Sequence, residues 1–192
     1  MKLSTLTAIA LVALTSTAQA GVQKFWTDFV PEGAGGRTGS GFAFIQFDDV
    51  TNDVSFGGAF AGLSGLTTQA HFHCCTAVAR TGAAGIAVDS PTLPGFPLGV
   101  AAGVFGSTLD LDDATNFNPA FIIANGGTTA AAIPVLLNGI RNGTAYLNVH
   151  SSTFGSGEIR GFLNVPEPTS LALALLSLAA LGGVRSARKQ RG

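Results

Sequence analysis

An all-β fold built from short antiparallel strands, with one or two short helices, is what this sequence predicts. Two observations carry that expectation. Glycine is abundant, 26 of 192 residues, while strong helix formers are scarce. Several stretches alternate in side-chain character with period two and are bounded by turn residues, the pattern of strands joined by tight turns.

The elements follow in chain order. Residues 21–40 hold an N-terminal strand and a glycine-rich loop, Gly33 to Gly41. That loop is no phosphate cradle, because no Gly-Lys-Ser/Thr follows and the dinucleotide-binding spacing fails. Phe42, Phe44 and Gln46 alternate with Ala43 and Ile45 in a strand ending near Asp48. Asp48-Asp49 and Asn52-Asp53 are turn residues, and a return strand through Val54, Phe56 and Ala59 completes a hairpin. Further strands are expected over 69–74, 85–88, 99–105, 145–150 and 158–164. Pro91, Pro94 and Pro97 mark a long irregular connection. Asp112-Asp113 caps a short turn before Phe117. Thr128 or Thr129 caps an alanine-rich helix to Arg141, limited or kinked by Pro134 and ended by Asn142-Gly143.

Both ends read as addresses. Met1-Lys2, the apolar run Leu6 to Leu14 and Ala18-Gln19-Ala20 form a signal peptide over 1–20. Residues 165–192 hold Pro166-Glu167-Pro168, an apolar run of 14 residues from Leu171 to Val184, and the basic residues Arg185, Arg188, Lys189 and Arg191. The run is shorter than the roughly 20 residues that span a bilayer comfortably. It fits a brief membrane-stop helix with the basic tail on the cytoplasmic side. These three parts, in this order, resemble the PEP-CTERM sorting signal of Gram-negative bacteria; the residues alone also fit an ordinary tail anchor. The resemblance implies signal peptidase and an exosortase as processing partners and transient residence in the inner membrane. It further implies delivery to the cell surface or extracellular matrix, with exopolysaccharide or other surface proteins as neighbours.

Between those ends the chain keeps Lys24, Arg37, Arg80, Arg141 and Arg160 against ten acidic residues, about −5, whereas the whole chain carries −1. A sparse acidic surface excludes nucleic acid, whose phosphates need a basic patch. No Gly-x-Ser-x-Gly elbow is present, and Asp110, Asp112 and Asp113 read as a solvated turn without the spacing of a calcium loop. No catalytic residue is nominated.

Two segments stand out. One is Leu63-Ser-Gly-Leu66-Thr-Thr-Gln-Ala-His71-Phe-His73-Cys74-Cys75. The other is Gly143-Thr-Ala-Tyr146-Leu-Asn148-Val-His150, leading to Gly157-Glu158-Ile-Arg160-Gly161. Together they resemble the chordin-type (CHRD) domain over about residues 41–164. That resemblance implies a Greek-key or immunoglobulin-like β-sandwich in an extracellular setting, non-enzymatic, with a binding or structural role. The adjacent cysteines lie outside the family pattern.

Residues two apart on a strand share a face. His71 and His73 therefore project together with Phe72 opposite, and Tyr146, Asn148 and His150 share another face. Glu158 and Arg160 are expected to form an ion pair on the last strand. The three histidines of the chain all fall in these motifs. Such a set fits a zinc or copper site; the simpler reading is hydrogen bonding within the sheet and to loop backbones, and carbohydrate or partner contact is a third. The His-x-His strand is similar to that of copper-zinc superoxide dismutase, whose further ligands have no counterpart here. Cys74 and Cys75 fit a vicinal disulfide in an oxidising compartment, free or partner-bonded thiols, or metal thiolates.

Overall fold

The structure, a computed structural model, describes residues 21–88 and 91–164. Signal peptide and sorting signal, with Pro166, Glu167, Pro168, Arg185, Arg188, Lys189 and Arg191, lie outside the described residues. Among those described, no helix is long and apolar enough to cross a membrane.

Eight antiparallel strands form one continuous sheet. They are β1 (Val22–Pro31), β2 (Ser40–Asp48), β3 (Asp53–Ala61), β4 (Thr67–His73), β5 (Ile86–Val88), β6 (Gly103–Asp110), β7 (Tyr146–Ser151) and β8 (Ile159–Phe162). Their spatial order is β5-β4-β7-β8-β1-β2-β3-β6. Strand β1 joins the two halves: residues 22–29 pair with β2, while Val30 and Pro31 pair with β8. The sheet curls so that the halves face each other. Phe56 of β3 meets Phe72 of β4 edge-on with ring centroids 5.8 Å apart. The expected sandwich thus takes the form of a single curled sheet, and the segment that precedes residue 41 supplies its central strand.

Alternation explains which side each strand buries. Phe25, Thr27 and Phe29 of β1 and Ala43, Ile45 and Phe47 of β2 point inward, leaving Trp26, Phe42 and Phe44 about half exposed. Phe60, Phe96 and Phe105 pack together in the same core, which is therefore held by ring-to-ring contact as well as by apolar burial.

Two short helices close the remaining gap: α1 (Pro119–Ala124), capped by Asn118, and α2 (Thr129–Arg141), capped by Thr128. The helix α2 continues past Pro134 to Arg141. One missing backbone bond is outweighed by the burial of Ile133, Leu136, Leu137 and Ile140 against Phe47, Val54 and Leu111. The strand expected over 99–105 instead occupies 103–110, because its partner β3 sets the register from Asp53↔Asp110 to Phe60↔Gly103. Sequence period alone does not choose between registers related by such a shift.

Gly139 of α2 shows how tightly the helix is seated. A Cβ there would collide with the Sγ atoms of both Cys74 and Cys75. Alanine normally gains about 1 kcal/mol over glycine within a helix. Overpacking against a covalently joined pair costs about 1–3 kcal/mol. Gly139→Ala is therefore expected to lower stability by about 1 kcal/mol net, read by urea denaturation. A gain in stability would show that the helix shifts freely away from the disulfide.

Candidate functional site

Every residue of β7 is buried, on both faces. Leu147 and Val149 enter the core. Tyr146, Asn148 and His150 point the other way and are buried because two loops roof the sheet there. Those loops supply backbone carbonyls, Ala84 and Pro91 from the segment after β4, and Gly155 from the β7–β8 connection. Antiparallel pairing of β4 with β7 places His71 opposite Asn148 and His73 opposite Tyr146, so His71, His73 and His150 share one roofed face. Their residues are only 1%, 7% and 6% exposed.

One ring nitrogen of each histidine lies within 4.8 Å of the others. The roof decides which nitrogen of each ring carries the hydrogen. A carbonyl only accepts, so each nitrogen facing one carries the hydrogen. His71 Nε2 donates to Pro91 at 3.0 Å, His73 Nδ1 to Ala84 at 3.0 Å and His150 Nδ1 to Gly155 at 2.9 Å. The second ring nitrogens are His71 Nδ1, His73 Nε2 and His150 Nε2, each a lone-pair donor whenever its ring is neutral. His71 Nδ1 and His150 Nε2 face each other at 3.1 Å. His73 Nε2 is buried and has no hydrogen-bond partner. A proton or a metal ion between them would join the two nitrogens.

Burial sets the protonation. It pushes the His73 imidazole down to about 4, against a smaller upward pull from the Ala84 carbonyl. Burial also lowers His150, with the Gly155 carbonyl and the Glu32 carboxylate acting the other way. Tyr146 stacks flat on His73, centroids 4.8 Å apart and planes 6° from parallel, and its hydroxyl bonds to Ala84. Thus the side chain and the carbonyl that orient His73 are themselves held together.

The expected Glu158–Arg160 pair is replaced by a different one. Arg160 Nη1 meets Glu32 Oε1 at 3.1 Å and donates to the Gly82 carbonyl at 2.7 Å. Its guanidinium also lies over the Tyr146 and Phe162 rings. Glu32 accepts from Asn148 Nδ2 at 2.7 Å with its other oxygen. Gly157 makes this possible, since a Cβ there would collide with the Glu32 carboxylate. Glu158 lies just before β8, fully buried, and accepts from the Ser64 backbone N–H at 2.5 Å. Desolvation raises its carboxyl, but hydrogen bonds from Ser151, Ser64 and Thr38 outweigh this and hold it below its ordinary value. Two-residue spacing failed here because Glu158 precedes the strand. No sequence signal marked Glu32, which reaches the site from 116 residues away.

Cys74 and Cys75 are joined as a disulfide across a cis peptide bond. Cys74 packs on the core side, opposite His73, so the sulfurs stand apart from the imidazole donors. The disulfide instead lines a cavity of about 470 Å³ with Ile86, Asn118, Phe121 and Val135.

The CHRD domain family matches residues 27–163, which include both histidine-bearing strands and the roofing loops. The chain belongs to the CHRD domain family. A PEP-CTERM protein-sorting motif follows over residues 164–189. This CHRD protein is accordingly exported across the inner membrane to the cell surface or extracellular space, with processing by exosortase-type machinery. Comparison with curated proteins and with solved structures gives no match.

Proposed function

We propose that this CHRD protein is a non-enzymatic binding module that holds one transition-metal ion at the cell surface, using His71, His73 and His150. The observation that carries the reading is one ring nitrogen from each of three buried histidines within 4.8 Å of the others, each ring being bonded through a nitrogen to a backbone carbonyl. Metal-ligating histidines characteristically donate their outer N–H to a carbonyl or carboxylate, which fixes the tautomer and aims the other nitrogen at the ion. Two nitrogens sharing a tetrahedral ion at about 2.0–2.1 Å stand roughly 3.3 Å apart. The 3.1 Å between His71 and His150 is close to that span.

A proton shared between His71 and His150 is the competing way to join the two nitrogens. It places a charge beside His150, whose imidazole burial already lowers. A backbone carbonyl on Nδ1 of His73 orients that ring and leaves its Nε2 unused.

The test is elemental analysis and melting of the exported protein. One equivalent of zinc or copper is expected, with chelation lowering the melting temperature. Saturation at a hundred times the dissociation constant stabilises by about 2.7 kcal/mol. The His71→Ala, His73→Ala double variant should lose both the metal and the chelator response. Metal-free protein whose melting is indifferent to added zinc, copper and chelator would refute the proposal.

A further inference from the structure

Three aromatic side chains stand about half exposed on the outer face where β1 and β2 run side by side: Trp26, Phe42 and Phe44, 46%, 51% and 47% exposed. The register sets Trp26 directly opposite Phe44 and Asp28 opposite Phe42. On β3 the residue opposite Phe44 is Gly57, and a Cβ there would meet the Phe44 ring at 2.7 Å. The ring therefore leans low over the neighbouring strand, and the three side chains form a shallow apolar platform.

A cleft of about 330 Å³ continues the platform across β1 to β8. Its walls include Asp28, Arg80, Arg160, Phe162 and Asn164. The backbone of Asn164 is bonded to that of Trp26 at 3.0 and 3.2 Å, so platform and cleft adjoin. Arg160 is engaged by Glu32, whereas among the described residues the Arg80 guanidinium has no hydrogen bond or ion pair. The Oδ1 of Asn164 likewise has no hydrogen-bond partner. Lys24, two residues before Trp26 on the same face, adds a third cation. Three basic residues thus gather here in a stretch that holds only five against ten acids.

Asp28 decides the kind of partner. It is exposed, flanked by Trp26 and Phe42, and shares the cleft with Phe162. A lipid interior or the apolar face of a second copy would strip its carboxylate of water with nothing in return. Sugar hydroxyls replace that water by donating to the carboxylate, and they accept from a guanidinium. A pyranose ring also presents a face of C–H groups that lies against an aromatic ring. The cations complete the match, since a guanidinium pairs with a sugar carboxylate far better than with a hydroxyl.

We propose that this face binds an acidic polysaccharide built from uronate sugars. Trp26, Phe42 and Phe44 stack pyranose rings, Arg80 holds a carboxylate in the cleft, and Asp28 accepts from hydroxyls. The site uses none of the histidines and stands whether or not a metal binds there.

Trp26 is the only tryptophan of the chain, so its fluorescence reports on this face directly. The exported, processed chain is titrated with hexamers of galacturonate, mannuronate and glucuronate, and with a neutral glucose hexamer. At least one uronate should shift the emission saturably to shorter wavelength and bind about tenfold more tightly than the glucose chain. Raising the salt from about 0.05 M to about 0.5 M should remove most of that preference. Phe44→Ser should weaken uronate binding about tenfold. Arg80→Gln should bring it down to the level of the glucose hexamer. Both variants should keep the wild-type circular dichroism and melting, because both side chains lie at the surface. No response to any of the three uronates overturns the proposal. Glucose hexamer bound as tightly as uronate overturns the acidic assignment. An emission shift on phosphatidylglycerol vesicles alone assigns the face to lipid, and one that follows protein concentration assigns it to a second copy; either overturns the proposal.

Discussion

Metal-free protein should lose about 3 kcal/mol of stability between pH 6.5 and pH 4 through His73 alone. Its imidazole, ordinarily near 6.5, sits at about 4 in the fold, and each pH unit of difference is worth about 1.4 kcal/mol. Because the folded value is depressed, the unfolded chain binds more protons throughout that window. Stability is therefore fully present above pH 6.5 and falls as the pH drops towards 4. His150, lowered in the same direction, adds to the slope. Urea denaturation at pH 7.5, 6.0, 5.0 and 4.5 with a metal chelator present checks this, alongside His73→Gln, which should flatten the curve. Equal stability at pH 7.5 and 5.0 in the wild type would show that His73 is not buried as neutral imidazole.

Glu158→Ala should cost about 4 kcal/mol, dropping the melting temperature by roughly 10–15 °C. The side chain is fully buried, and its removal strands the Ser64 N–H without its acceptor. Each orphaned buried group costs about 1–3 kcal/mol, and the space vacated adds to that. Glu158→Gln keeps one acceptor oxygen and should fall between. The pH signature is distinct from that of His73. A carboxyl held below its ordinary 4.5 contributes stability that is present above that value and lost as pH falls through the lower folded one. The acid limb below pH 4.5 should therefore be shallower in Glu158→Gln than in the wild type. A melting temperature within a degree or two of wild type for Glu158→Ala would mean that the carboxylate is solvated.

Glu158 also ties the candidate site to the rest of the domain. Its Oε1 holds Ser64, in the loop before β4, and Ser151, the residue after His150, is near enough to help lower its carboxyl. Both histidine-bearing strands are thereby anchored at the same end. The buried carboxylate is a positioning residue for the roofed face, and the Gly-Glu-Ile-Arg-Gly segment carries two separate jobs. Glu158 fastens strand ends; Arg160 neutralises Glu32 and covers Tyr146.

The sequence by itself determined the class of fold, the strand-and-turn framework, the C-terminal sorting signal and the three histidines. Those features are local. Side-chain period two, turn dipeptides, helix caps such as Thr128 and the Pro-Glu-Pro segment are each legible within a few residues of one another. It also placed His71 and His73 on one face opposite Phe72, because a strand allows nothing else. Only the tertiary structure decided what those histidines face. Pairing of β4 with β7 spans about 80 residues and delivers His150 to the pair. The carbonyls of Ala84, Pro91 and Gly155 then fix the tautomers, and no sequence pattern encodes where a backbone carbonyl will point. The same holds for Arg160, whose partner was expected two residues away and proved to be Glu32, 128 residues distant. Charge pairing in a curled sheet follows from which strands lie side by side, and β1 pairs with both β2 and β8.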